Sequence, residues 1–146
     1  MSQRENAIGA LLAVLGQLSL GTSGTTVKRN AALPERIADH AMAILRDGEM
    51  GEPEVSLSPL TYHWQHQVAI ELFVADPDAT ARDARMDGLL TELAGLIEAD
   101  RTLGGVVEYA DIGPPKFDEL APDGSSGIKA CLLPVVLHYS SSGPLN

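Results

Sequence analysis

Between Tyr62 and Val74 the even positions read Tyr, Trp, His, Val, Ile, Leu and Val, whereas the odd ones include His63, Gln65, Gln67 and Glu71. Side chains alternate faces along a strand, so a period of two sustained over this length predicts one long antiparallel strand with a single apolar face. Such a face has to be covered by elements from elsewhere in the chain.

Two stretches have the right pattern to cover it. Over residues 3 to 19, Ile8, Leu11, Leu12, Leu15 and Leu18 recur at spacings of three and four, which predicts a first amphipathic helix. The apolar run at 7 to 18 also resembles a short secretory leader, but Arg4 and Glu5 cancel, no clean small-residue cleavage site follows, and the run is too short to span a bilayer; the helix is the expectation. Over 75 to 100, Leu89, Leu90, Leu93, Leu96 and Ile97 share one face behind Asp76-Pro77, read as N-cap and first helical residue. Gly104 and Gly105 follow where a left-handed helix end is favoured.

The remaining segments read as shorter strands and loops. "GTSGTT" (21 to 26) breaks the first helix, "TVKRN" is a short strand, and "MAILRDG" (42 to 48) is a strand closing on an Asp-Gly turn. Pro53 and Pro59 mark 49 to 60 as a projecting hairpin or loop, because proline cannot donate to a central ladder. "VVEYADI" (106 to 112) is a strand, and the Pro, Gly and acidic residues of 113 to 127 predict a long mobile loop. "IKACLLPVVLHY" (128 to 139) is the final strand, with Pro134 marking an edge or a bulge. The fold class is α+β: one mainly antiparallel or mixed sheet with two helices on one face, in a single domain over 1 to 140, with a flexible C-terminal tail over 141 to 146.

Composition limits function. Hydrophobic residues make up 45% of the 146 and aromatics only 4%, so the core rests on aliphatic side chains. Twenty acidic against ten basic residues give a net charge of -10, which repels phosphate backbones and argues against tight nucleic-acid binding. The single Cys131 rules out an intrachain disulfide and a multi-cysteine zinc cage, and fits folding in a reducing cytoplasm.

The residue types that could carry chemistry do not assemble into a site, and no catalytic, cofactor-binding or metal-ligating residue is assigned. His63 and His66 are three apart, which on a strand sends them to opposite faces, so "HWQH" is no metal pair. Trp64 and Tyr62 share the apolar face and serve core or subunit interface. Cys131 with His138 as base is the remaining nucleophile pair, but both stand in an apolar strand, whereas a reactive thiol needs an electropositive, accessible setting. Neither "GTSGTT" nor "LGG" has a phosphate-cradling pattern. Asp76, Asp78, Asp83 and Asp87 are read as a solvated face near a helix start, where carboxylates favour the helix dipole.

The segments "VKRNAALPERI", "ILRDGEMGEPEVSLSPLTYHWQHQVAIELFV", "ADRTLGGVVEYADI" and "LPVVLHY" together resemble the tail terminator proteins of long-tailed phages and gene transfer agents, similar to the lambda minor tail protein U group. The resemblance runs from residue 1 to about 140, through patterns and not catalytic motifs. It implies a structural virion protein, assembled in the bacterial cytoplasm, that forms a hexameric ring, caps the tail tube, stops its polymerisation and joins the tail to the head connector. The implied partners are six copies of the chain, the tube protein on one side and the connector on the other; DNA passes through the channel without specific binding, no cofactor is used and no membrane is involved. The acidic charge would suit such a conduit. Another neck or tail-completion protein, and a stand-alone α+β ligand-binding or regulatory domain, are the alternatives. A binding domain would show a well-formed apolar pocket, a ring subunit a heterologous head-to-tail interface.

Overall fold

A computed structural model describes residues 1 to 20, 27 to 33, 41 to 117 and 127 to 146. The expected turn at 21 to 26 and most of the loop expected at 113 to 127 lie outside the described residues. The elements in chain order are α1 (Gln3–Leu15), β1 (Val27–Arg29), β2 (Ala41–Glu49), β3 (Glu54–Ser56), β4 (Thr61–Ala75), α2 (Ala79–Ala99), β5 (Tyr109–Ile112), β6 (Lys116–Phe117) and β7 (Ile128–Ser141). The domain is α+β, with two helices and a mixed sheet of seven strands among the described residues.

The long alternating segment is the spine of that sheet. The order is β1-β2-β4-β7-β5, with β3 added to β4 and β6 to β7. β4 and β7 pair antiparallel without interruption from Tyr62 opposite Ser141 to Ala75 opposite Ile128. β1 runs parallel to β2, which makes the sheet mixed. Even residues of β4 (Trp64, His66, Val68, Ile70, Leu72, Val74) are buried on one face together with Cys131, Leu133, Val135, Leu137 and Tyr139 of β7. Ile8, Leu11 and Leu15 of α1 and Met86, Leu89, Leu93 and Ile97 of α2 complete this core, so both helices cover the same face.

The odd side is not uniformly polar. His63, Gln65 and Gln67 are exposed, but Glu71 and Phe73 are buried, and Phe73 joins Met42, Ile44 and Ala130 in a second small cluster on the opposite face. Glu71 reaches its partner there: Arg46 Nε and Nη2 donate to its two carboxylate oxygens at 2.6 and 3.2 Å. Pairing of this kind is what makes a buried carboxylate tolerable.

Local chemistry explains most boundaries, with several corrections. α1 ends at Leu15 instead of 19, after Ser2 has capped its start by accepting from Glu5 N at 3.2 Å. α2 is capped by Asp78, not Asp76: the Asp78 carboxylate accepts from Ala81 N, while Asp76 accepts from Asp78 N in the turn before it. Ala99 ends α2 and Asp100 is extended, so Gly104 and Gly105 do not cap the helix itself. They belong to a separate turn, both at positive φ, held by Asp100 accepting from Thr102 N, Thr102 Oγ1 and Gly104 N. Those three donors hold the Asp100 carboxyl below its ordinary range. The strand expected at 106 begins at Tyr109, and residues 116 and 117, placed in a mobile loop by composition, form β6 on β7.

The Asp47-Gly48 pair is not a turn between strands. It lies inside β2, where the register passes from Arg46 opposite Ala69 to Glu49 opposite Gln67, so β2 uses one residue more than β4. This is a β-bulge, and Gly48 supplies its positive φ of 63°. A Cβ at Gly48 would stand 1.8 Å from Gln67 O, so any side chain there collides with the β4 backbone.

Pro134 marks neither a bulge nor an outermost strand. β7 is flanked on both sides, and Pro134 sits in the gap between β6, which pairs at 131 and 132, and β5, which pairs at 135 to 138. Its carbonyl accepts from Gly113 N across that gap at 2.8 Å. Because the amide and carbonyl of a strand residue point the same way, the missing N–H falls where no ladder bond is needed. The final strand runs to Ser141, whose Oγ accepts from Trp64 Nε1 at 2.9 Å and donates to Gly143 O at 2.7 Å.

Candidate functional site

The residues that sequence reasoning weighed for chemistry are separated by the sheet. Cys131 lies buried on the helix-covered face, and burial pushes its thiol up from the ordinary value, the opposite of what a nucleophile needs. His138 is an even residue of β7 and faces the other side, opposite Gln65 and Tyr109. A Cys131–His138 dyad is therefore impossible in this fold. His63 and His66 also part: His63 is exposed with Ser56 Oγ 3.0 Å from its Nε2, and His66 is buried. Among the described residues, no three His, Cys, Asp or Glu side chains gather as a metal site would require. Asp78 and Asp83 do face solvent, Asp78 as a cap and Asp83 holding Lys129 Nζ at 3.0 Å.

His66 has a structural role that its sequence position does not reveal. Its Nε2 is 2.6 Å from Asp47 O, and its Nδ1 is 2.8 Å from Tyr139 Oη. A carbonyl only accepts, so Nε2 carries the proton and the neutral ring accepts from the Tyr139 hydroxyl through Nδ1. Burial lowers the imidazole pKa, and burial also pushes the Tyr139 phenol up to about 12. The bond from His66 to Asp47 O pins the strand beside the Gly48 bulge. Asp47 is held from its other end by Arg29, which donates to Asp47 at 2.7 and 2.8 Å and to Glu5 at 2.8 and 2.9 Å. The same Arg29 hydrogen bonds are the main reason the Asp47 carboxyl lies below its ordinary range. One guanidinium thus ties α1, β1 and β2 together.

What remains unexplained by folding is the outer surface near the N-terminal end of β4. β3 pairs with β4 through Glu54 opposite His63, Val55 opposite Tyr62 and Ser56 opposite Thr61, so residues 54 to 63 form a projecting hairpin, as Pro53 and Pro59 led one to expect. Its large apolar side chains are left in water: Val55 is 51% exposed, Leu57 78% and Leu60 49%. The three fall within six positions of one hairpin, a concentration that scattered exposed apolar residues do not show. At the base of the hairpin an open cleft of about 390 Å³ is lined by Glu52, Glu54, His63, Gln65, Glu108 and His138, together with Trp64 and Tyr139, whose side chains belong to the core on the other face.

On the far edge of the sheet, Arg101 occupies the middle of β5. Ala110 in the middle of β5 donates to Arg101 O at 2.8 Å, and its carbonyl accepts from Arg101 Nη1 at 3.2 Å. Both outward-facing backbone groups of Ala110 are therefore satisfied within the domain. The Arg101 guanidinium carbon stands 5.1 Å from the centre of the half-exposed Tyr109 ring, a cation–π contact.

Fold and surface together define an α+β domain with an exposed apolar hairpin beside an open cleft lined by carboxylates and imidazoles. No family model matches the chain, and no curated protein matches it either. No helix among the described residues is long and apolar enough to cross a membrane.

Proposed function

We propose that this chain is a structural assembly protein, a tail terminator that forms a hexameric ring on a phage or gene-transfer-agent tail, stops tube growth and joins the tail to the head connector. The sequence resemblance is the source of this reading, and the projecting hairpin is the structural observation that carries it. A β-ribbon that holds Val55, Leu57 and Leu60 in water gains little from them for the folding of its own domain. It gains apolar burial when a neighbour covers it. A six-fold ring needs such a surface on every subunit, matched to a different surface on the next one, because its contacts are heterologous. An obligate interface of that kind buries about 2,000 Å² or more. A stand-alone ligand-binding domain fits less well: the cleft beside the hairpin is open and lined with carboxylates and imidazoles, not apolar side chains.

The test is assembly. Particles lacking the chain should carry tails of uncontrolled length, or finished tails that do not join heads, and supplying the chain should restore joined particles. Normal tails on full heads in its absence would overturn the reading. Localisation to the neck of the particle, by labelling the chain and imaging, is the second expected outcome.

A further inference from the structure

We infer that His66 is an acid-sensitive latch for α1: a proton on its buried ring favours a state in which α1 has lifted from the sheet while the paired β4 and β7, with α2, stay folded. This device is independent of the terminator role proposed above. His66 and Tyr139 are buried together on the helix-covered face of the sheet, and Arg4, in the first turn of α1, is the cation that bears on the charge of both. Glu5 in the same turn is bound by Arg29, and Arg29 also binds Asp47, whose carbonyl accepts from His66 Nε2. The first turn of α1 is thus fastened over the His66–Tyr139 pair, and lifting it opens a path for water to the ring. The charged groups facing the ring are Arg4 and Glu5 from α1, Arg29 from β1 and Asp47 from β2. β7 adds the Tyr139 phenol, and α2 turns only apolar residues to this core.

The hydrogen bonds of the ring make its surroundings intolerant of a proton. In the neutral imidazole Nδ1 accepts from the Tyr139 hydroxyl. Protonation turns Nδ1 into a donor, so the hydroxyl has to swing round and accept, and its own hydrogen is then left without an acceptor among the described residues. The new charge is also buried and lies near Arg4. Asp47 offsets it only in part, because Arg29 already holds that carboxylate with two bonds, and burial wins. Lifting α1 relieves these costs together, since a solvated imidazolium is satisfied by water. α1 is the element that lifts because side chains alone tie it down: among the described residues no backbone hydrogen bond joins it to a strand. β4 and β7, by contrast, are paired without a break from Tyr62 opposite Ser141 to Ala75 opposite Ile128, and parting them would break the whole ladder. Lifting α1 takes Ile8, Leu11 and Leu15 out of the core, so the lifted state is rare at neutral pH, and acid raises its share.

Hydrogen exchange of the full chain at about pH 7.5 and 5.5, corrected for the intrinsic pH dependence of exchange, tests the latch. At both pH values, peptides within 3 to 15 should be protected about tenfold or more weakly than those within 64 to 74, 86 to 97 and 130 to 139, and should respond less to low urea, because α1 opens without the rest. With the lifted-state ring titrating near about 6.5, protection of α1 should fall about tenfold between the two pH values. In His66→Gln, whose amide can donate to Asp47 O and accept from Tyr139, α1 protection should be the same at both. A second measurement needs no change at His66: proton NMR of the imidazole Cε1–H signals, assigned with His63→Ala and His138→Ala, should show His66 titrating well below the two exposed rings. Three results would overturn the latch. One is α1 sharing the protection and urea response of β4 and β7, which would mean that it exchanges only when the whole chain unfolds. Another is an acid loss of α1 protection that is absent from the wild type or equally large in His66→Gln. The third is a His66 signal that titrates together with His63 and His138 in the folded protein, which decides the matter even where His66→Gln fails to fold.

Discussion

His66 on β4 and Tyr139 on β7 face each other inside the core with 2.8 Å between Nδ1 and Oη, and their rings are tilted by 59°. This is a buried polar pair in an aliphatic core, completed by the carbonyl of Asp47. In the neutral ring Nε2–H donates to that carbonyl and Nδ1 accepts from the hydroxyl, and burial disfavours the charged ring.

Stability should therefore fall on acidification. The folded-state pKa of His66 is lowered by burial, so below its ordinary value of about 6.5 the unfolded chain binds a proton that the folded chain refuses. The unfolded state then holds more protons, and stability rises with pH across that window. Asp47, lowered mainly by Arg29, adds a loss in the same direction once pH drops through the carboxylate range. The melting temperature of the wild type should drop between pH 7.5 and 5.5, and His66→Gln should flatten that slope. Equal slopes in the two proteins would refute the role given to His66.

Replacing the two histidines of "HWQH" should have very different costs. His66→Ala removes a buried ring and leaves Tyr139 Oη and Asp47 O without partners, a loss of about 3 kcal/mol. His63→Ala, at an exposed position, should stay within about 0.5 kcal/mol of wild type. Urea unfolding of the two variants measures the difference. Zinc should leave both the wild type and His63→Ala unchanged, since the imidazoles lie on opposite faces of β4.

Gly48→Ala should destabilise far more than Gly104→Ala. Both glycines hold positive φ, which costs an alanine about 1 kcal/mol, but only Gly48 has a backbone atom where the methyl would go. The collision with Gln67 O forces the bulge open and adds about 1 to 3 kcal/mol of strain. Comparable denaturation midpoints for the two variants would contradict the bulge.

Leu57→Ser should leave unfolding unchanged within about 0.5 kcal/mol, because the side chain touches little of its own domain. It should nevertheless weaken self-association measured by sedimentation. A drop in melting temperature of the monomer would show that Leu57 serves the fold instead.

The elements that sequence patterning placed correctly are those whose signal is local and repeated. The period of two from Tyr62 to Val74 gave the longest strand and its buried face, and the three-four spacing of Leu89, Leu93 and Ile97 gave the second helix with the face it buries. The separation of His63 from His66 followed from the same periodicity. Patterning failed where one residue type serves two purposes. Asp47-Gly48 has turn chemistry, and the same left-handed glycine builds a bulge when the chain continues into a ladder. Asp76 and Asp78 are equally good caps on paper, and the choice fell to Asp78.

The sequence by itself determined the α+β class, the one-sided long strand and the helices that cover it, because periodicity encodes which face of an element leaves water. Only the tertiary structure decided that β7 lies centrally with Pro134 in a gap, that Phe73 and Glu71 are buried on the second face, and that His66 meets Tyr139, 73 positions away. It also decided that Arg101 engages both backbone groups of Ala110 on the β5 edge while Val55, Leu57 and Leu60 of the hairpin stay exposed. Each of these depends on strand order and register, and register is set by partners distant in the chain, which no local pattern of residues can specify.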